Sequence, residues 1–178
     1  MAVKKSKNST RTKLGSDAVS VLKADHRQVE TWFEQFSKSR SDAKKQLAAQ
    51  ICAALTAHTT IEEEIFYPAF LAATADKDMH HEAIVEHDGA KKLIAQIERI
   101  DASDDYFDAK VTVLSEMIKH HVKEEGQPGG MFAEAKKSDM DLKALGEQML
   151  ARKNEIQARE RRLDSRCVVT KKTGSRKE

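Results

Sequence analysis

Four histidines in this 178-residue chain stand where helical spacing calls for an apolar residue. His26 continues a stripe of Val19, Leu22, Val29, Phe33 and Phe36. His58 and Glu62 continue Leu47, Ile51 and Leu55 towards Ile65 and Phe70. His87 sits among Ala83, Ala90, Ile94 and Ile97, and His121 and Glu125 extend Phe107, Val111, Leu114 and Ile118. Each glutamate follows its histidine by four residues, which puts both side chains on one helix face, a turn apart. A buried carboxylate is costly unless it is paired or holds a metal. Imidazole and carboxylate together suit iron, manganese or zinc. A lone histidine on an apolar face is most often a satisfied core residue, and a single His-x-x-x-Glu means little in a Glu-rich chain. One histidine on each of four stripes, with a glutamate added on two, is a joint pattern that chance placement of seven histidines seldom makes. His26, His58, Glu62, His87, His121 and Glu125 are therefore the expected metal ligands.

Other polar residues fit less well. His80 shares the face of His87 but lies about two turns, or roughly 10 Å, away. His81 and His120 point off the stripes, and Glu63, Glu64 and Glu124 read as solvated neighbours. Cys52 lies among Ala and Leu and reads as core filler, while Cys167 lies in a basic tail.

Positioning six ligands requires four helices. Ser16-Asp17 offers a cap for the first, which runs to about residue 38, and Ser41-Asp42 opens the second, with Pro68 expected to end or kink its last turn. The third spans about 76–100. The fourth starts near Phe107 and stops before Gln127-Pro128-Gly129-Gly130. A fifth, from Ser138 to about Arg162, has so thin an apolar stripe that it is expected to pack loosely or outside the others. The prediction is an all-α fold: an antiparallel up-down-up-down four-helix bundle with an extra C-terminal helix and disordered basic tails. The expected divisions are a basic arm at 1–14, the metal-binding bundle at 15–135, the charged helix at 136–162 and a basic tail at 163–178.

Composition agrees with helices, at 34% charged residues, 2 Pro and 7 Gly. No apolar run approaches the roughly 20 residues of a membrane span. The N-terminus has no apolar segment of a secretory signal, and two cysteines without ligand or framework spacing point to a reducing cytoplasm. The net charge of +2 hides an asymmetry. Residues 1–13 carry five Lys/Arg and no acid, residues 151–178 carry ten against four acids, and the remaining 16 Lys/Arg and 25 Asp/Glu fall within 14–150. The tails are read as solvated, with weak contacts to a partner as the alternative; no groove-reading motif accompanies them to suggest nucleic acid.

The pattern resembles the hemerythrin-like HHE cation-binding family. The matching stretches are Lys23-Ala-Asp-His-Arg, His58-Thr-Thr-Ile-Glu-Glu-Glu-Ile-Phe-Tyr-Pro, Glu86-His87-Asp88 and His120-His-Val-Lys-Glu-Glu, across about residues 16–135. The resemblance implies a bundle clasping two iron ions, oxo- or hydroxo-bridged. His26, His58, His87 and His121 would be terminal ligands, and Glu62 and Glu125 would bridge. The chain departs from the oxygen-carrying hemerythrins, which use five histidines, two of them four apart on the third helix. Here the positions four before and four after His87 are Ala83 and Lys91. The last acidic ligand of those carriers lies five residues after its histidine, so His120 competes with His121 for that role. Gly-Gln-Pro-Gly-Gly-Met-Phe after Glu125 also replaces the acidic, helix-continuing stretch commonly seen there.

Two octahedral irons offer about twelve positions, and the implied ligands and a single-atom bridge fill about ten. The rest are open to water, a small ligand or an unassigned residue such as Tyr67. That leans away from pure oxygen carriage and towards catalase-like or peroxidase-like consumption of hydrogen peroxide, or removal of nitric oxide, with Glu63 or Glu124 as conceivable proton relays. Reversible sensing of dioxygen or nitric oxide is the alternative, as is iron storage or delivery. Against the last, the N-terminus lacks the cysteine pair of repair-type relatives, and the ferritin-like Glu-x-x-His arrangement is absent.

Overall fold

The computed structural model describes residues 17–173, apart from the side chains of residue 41 and of 163–173. The described residues form helices and short turns, with no strand among them. Helix α1 spans Ala18–Lys38 and is capped by Asp17, whose carboxylate accepts from the Ser20 amide at 2.8 Å. Helix α2 covers Ser41–Ile61, a π-helical turn follows at Glu62–Phe66, and α3 completes the run at Tyr67–Thr74. Helices α4 (Lys77–Arg99) and α5 (Phe107–Gly126) come next, then a short α6 (Met131–Lys137) and a long α7 (Leu142–Thr173). No helix among the described residues is long and apolar enough to cross a membrane.

Pro68 does not end the second run. In the π turn the Tyr67 amide donates to Glu62 O, five residues back, so the helix is already re-registered where Pro68, with no amide hydrogen, enters the first turn of α3. The wider turn also changes which residues face inward. Phe66 and Tyr67 are fully buried, while Ile65, expected on the buried stripe, is only half-buried. The run stops at Ala75, which takes the left-handed conformation (φ 56°), and Asp76 then caps α4 by accepting from the Met79 amide.

Two apolar cores are buried. One joins Val29, Phe33 and Phe36 of α1 to Ile51, Cys52 and Leu55 of α2, Ala90, Ile94 and Ile97 of α4, and Phe107 to Ile118 of α5. The other joins Val19 and Leu22 to Ile61, Phe66, Phe70, Ala83, Met131, Phe132 and Met149. Along α1 the second core precedes the first. Along α2 the order reverses, along α4 it reverses again, and on α5 the first core comes before the turn to Met131. Each expected ligand lies in its helix where one core gives way to the other, so the ligands form a polar layer between two apolar ones.

The break after α5 folds sharply. Gly129 has φ 80°, which favours glycine, and a Cβ on Gly130 would stand 2.2 Å from Glu124 O and 2.9 Å from Glu125 O. This turn returns the chain against the end of α5 and inserts Met131 and Phe132 into the second core. Phe132 stacks on the His26 ring at 5.8 Å between centroids. Helix α7 packs on α1, α2 and the π turn more closely than its thin apolar stripe suggests. Met149 is fully buried, and ion pairs complete the join: Arg152 binds both oxygens of Glu64, at 2.6 and 3.0 Å, and Lys153 binds Asp25. Its backbone continues to Thr173, beyond the Arg162 end expected from the pattern. The basic arm at 1–14 and the last residues of the basic tail, 174–178, lie outside the described residues.

Candidate metal centre

All six expected ligands are buried, none more than 6% exposed, and they meet in one cluster. The Nε2 atoms of His26 and His58 face each other at 3.0 Å, and those of His87 and His121 at 3.2 Å. Glu62 lies between the pairs, with Oε2 3.1 Å from His58 Nε2 and 3.3 Å from His87 Nε2. Glu125 Oε2 is 3.6 Å from both His26 Nε2 and His121 Nε2. Each carboxylate thus approaches one histidine of each pair. Donor atoms of His26, His58 and Glu62 lie within 4.8 Å of one another, as do those of Glu62, His87 and His121, and Glu62 belongs to both groups.

The outward faces of the rings are held as well. Nδ1 of His121 donates to Glu86 at 2.7 Å, Nδ1 of His87 donates to Glu63 at 2.9 Å, and Nδ1 of His58 is 3.5 Å from Asp25. A histidine fixed through Nδ1 by a carboxylate presents Nε2 to the interior, the arrangement common behind metal-bound imidazole. Lysines anchor two of these carboxylates: Lys91 binds both oxygens of Glu63 at 2.5 Å, and Lys153 binds Asp25. Tyr67 Oη donates to Glu125 Oε1 at 3.2 Å and stands 3.1 Å from His87 Nε2.

The residues fit a cation. Neither oxygen of Glu62 makes a sound hydrogen bond, nor does Oε2 of Glu125, although all three are buried. A buried carboxylate oxygen left without a hydrogen bond is costly, and a cation among these nitrogen and oxygen donors would supply the missing partner.

The profile of the hemerythrin HHE cation binding domain family matches residues 17–127, which include all six residues. The chain belongs to this family. A DNA nickase from Nostoc sp. is 31% identical over 106 residues, 59% of this chain. The chain spans only 30% of that relative's length. The crystal structure of a hemerythrin HHE cation binding domain-containing protein from Mycobacterium kansasii superposes with a TM-score of 0.66 at 22% identity, covering 80% of this chain and 88% of that one, a likeness of fold.

The charges of the cluster distribute unevenly. Burial and the neighbouring His58 hold His26 down at about 3. Burial also works to lower His58, but Glu62 and Asp25 outweigh it and raise the ring to about 10. Burial opposes ionisation of Glu62, yet His58 and His87 pull it well below the ordinary range. Glu125 goes the other way, raised to about 8 by burial and by the Glu62 charge. Burial and the two glutamates push the Tyr67 phenol well above its usual value.

Of the two histidines that competed on α5, His121 is 4% exposed within the cluster, while the His120 side chain is 63% exposed. His80 lies outside the donor groups, its ring edge-on to Tyr67. Glu64 is exposed and paired with Arg152. Sequence reasoning missed Asp25, Glu63 and Glu86 as supports of the HHE histidines. The signal was present: each is an acid adjacent in sequence to one expected ligand. It serves the ligand of a neighbouring helix, which spacing along a single helix does not reveal.

Proposed function

We propose that this chain is a hemerythrin-like protein holding two iron ions in the polar layer and reacting there with a small oxidant, with consumption of hydrogen peroxide or nitric oxide favoured over reversible carriage. The observation that carries this reading is Glu62: a buried carboxylate common to two donor groups, with neither oxygen hydrogen-bonded. In this reading His26, His58, Glu62, His87, His121 and Glu125 would hold the ions, the two donor groups meeting at Glu62. The reversal of core order from helix to helix supports an up-down-up-down bundle around them.

When bound, an iron pair supplies redox equivalents and open positions for a small ligand. The protein's own residues supply the rest. Asp25, Glu63 and Glu86 keep imidazole Nε2 atoms turned inward, and Tyr67 fixes Glu125 by donating to it. Val29, Leu55, Ile118 and Val122 join the four histidines around a cavity of about 10 Å³, at the lower limit for a single water. So tight and largely apolar a space excludes large organic substrates and is consistent with a reactant of very few atoms. A cytoplasmic setting belongs to the same reading, supported by Cys52, which is free and buried.

The test is a metal count with an ultraviolet–visible spectrum before and after adding hydrogen peroxide. About two irons per chain, charge-transfer bands and evolved oxygen are expected. Two irons with a stable spectral change and no oxygen would redirect the reading to sensing. Absence of stoichiometric metal from iron-supplied protein would end it.

A further inference from the structure

The end of α5 and the facing part of α4 carry a second group of donors, of which the buried centre uses only Glu86. His120 Nε2 lies 3.1 Å from Glu124 Oε1 and 3.5 Å from Glu86 Oε1, and donor atoms of all three lie within 4.8 Å of one another. Ligands about 2.0–2.2 Å from a divalent ion stand roughly 3 Å apart, so small rotations of exposed side chains close this group around one cation.

Its position gives it a use. A cavity of about 170 Å³ is lined by Glu82, Glu86 and Glu124 and, on its inner side, by His121 and Glu125. Glu125 is 3% exposed, and its Oε2 accepts no hydrogen bond. The cavity therefore runs from three carboxylates near the surface to two residues of the buried cluster, His121 and Glu125. Glu86 belongs to both ends, since its Oε2 accepts from His121 Nδ1 while its Oε1 faces His120.

We infer that His120, Glu86 and Glu124 form an auxiliary divalent-cation site at the mouth of this cavity, through which metal ions enter the buried centre. The inference rests on the metal-centre reading. A negative, partly enclosed mouth raises the local cation concentration and the entry rate, an effect that added salt weakens. Exchange of ligands from His120 and Glu124 to Glu125 and His121 moves the ion inward without exposing the apolar cores.

The test compares the metal-stripped full chain with H120A/E124Q, which leaves Glu86 and its bond to His121 in place. Cobalt(II) uptake is followed by stopped-flow absorbance, and manganese(II) binding to protein already loaded with cobalt is followed by electron paramagnetic resonance. The expected result is uptake slowed on the order of tenfold at low salt, an unchanged final cobalt content, and loss of one weak manganese site. Equal uptake rates with an unchanged manganese titration would overturn the inference. Failure of both proteins to take up cobalt at the buried centre would instead overturn the metal-centre reading. The mouth site would then be judged by manganese binding to the stripped proteins, where equal titrations would remove it too.

Discussion

At the scale of single residues, the buried cluster binds protons unevenly. Glu125 keeps its proton up to about pH 8 and His58 up to about 10, against ordinary values of 4.5 and 6.5. Above about pH 6.5 the folded state therefore binds more protons than the unfolded chain, and stability falls as pH rises. Below it His26, held at about 3 against an ordinary 6.5, binds fewer and offsets Glu125. Glu62 acts in the opposite sense: its lowered value contributes stability above the ordinary carboxylate range that is lost as pH drops. The metal-free protein should thus be most stable on the mildly acidic side, with a midpoint of thermal unfolding that declines steadily from about pH 6.5 to pH 9. Thermal melts of chelator-treated protein across that range check this, and a midpoint that rises with pH would contradict the proton assignment. Metal binding must displace these protons, so the loaded protein should lose the decline.

At the scale of elements, the connection after α5 is as specific as the helices it joins. A Cβ on Gly130 would meet two backbone carbonyls, Glu124 O at 2.2 Å and Glu125 O at 2.9 Å, and backbone cannot swing aside. Gly129, with φ 80°, has open space around it and faces only the left-handed penalty of about 1–2 kcal/mol. Gly130→Ala should therefore destabilise the protein more than Gly129→Ala, by about 3 kcal/mol or more, read by urea denaturation. It should also disturb Glu125, whose carbonyl it strikes. The four helices that carry the expected ligands were legible in the sequence because their apolar stripes repeat over five or six turns and Asp17 and Asp76 cap two of them. The π turn was not, because inserting one residue turns Phe66 and Tyr67 inward in place of Ile65, and nothing local to Glu62–Phe66 announces the insertion. Helix α6 was hidden for a related reason. Gly129-Gly130 reads as a stop, and only the packing of Met131 and Phe132 into the second core shows that the chain turns back.

For the whole molecule, α7 ties the surface to the centre along a charged path. Lys153 binds Asp25, Asp25 faces His58 Nδ1, and His58 Nε2 faces His26 and Glu62. Asp25 is held below the ordinary range even though burial opposes its ionisation, because His58 and Lys153 favour the charged form. With side chains 20% and 15% exposed, the Lys153–Asp25 pair is shielded from solvent in a way that the neighbouring Arg152–Glu64 pair, 39% and 46% exposed, is not. Exposed pairs contribute little, since water screens them and two long side chains must be ordered. Groups that orient a metal-bound imidazole commonly change metal affinity by 10–100-fold when removed. The two contacts therefore predict different things although they lie one residue apart. Lys153→Met leaves Asp25 without its anchor and His58 less firmly oriented, so it should speed release of bound cation by about tenfold while leaving helical content intact. Arg152→Met should leave release unchanged. Transfer of cobalt to a coloured chelator, timed for both variants beside the parent protein, separates the two. Equal rates in all three would show that α7 packs on the bundle without reaching its centre.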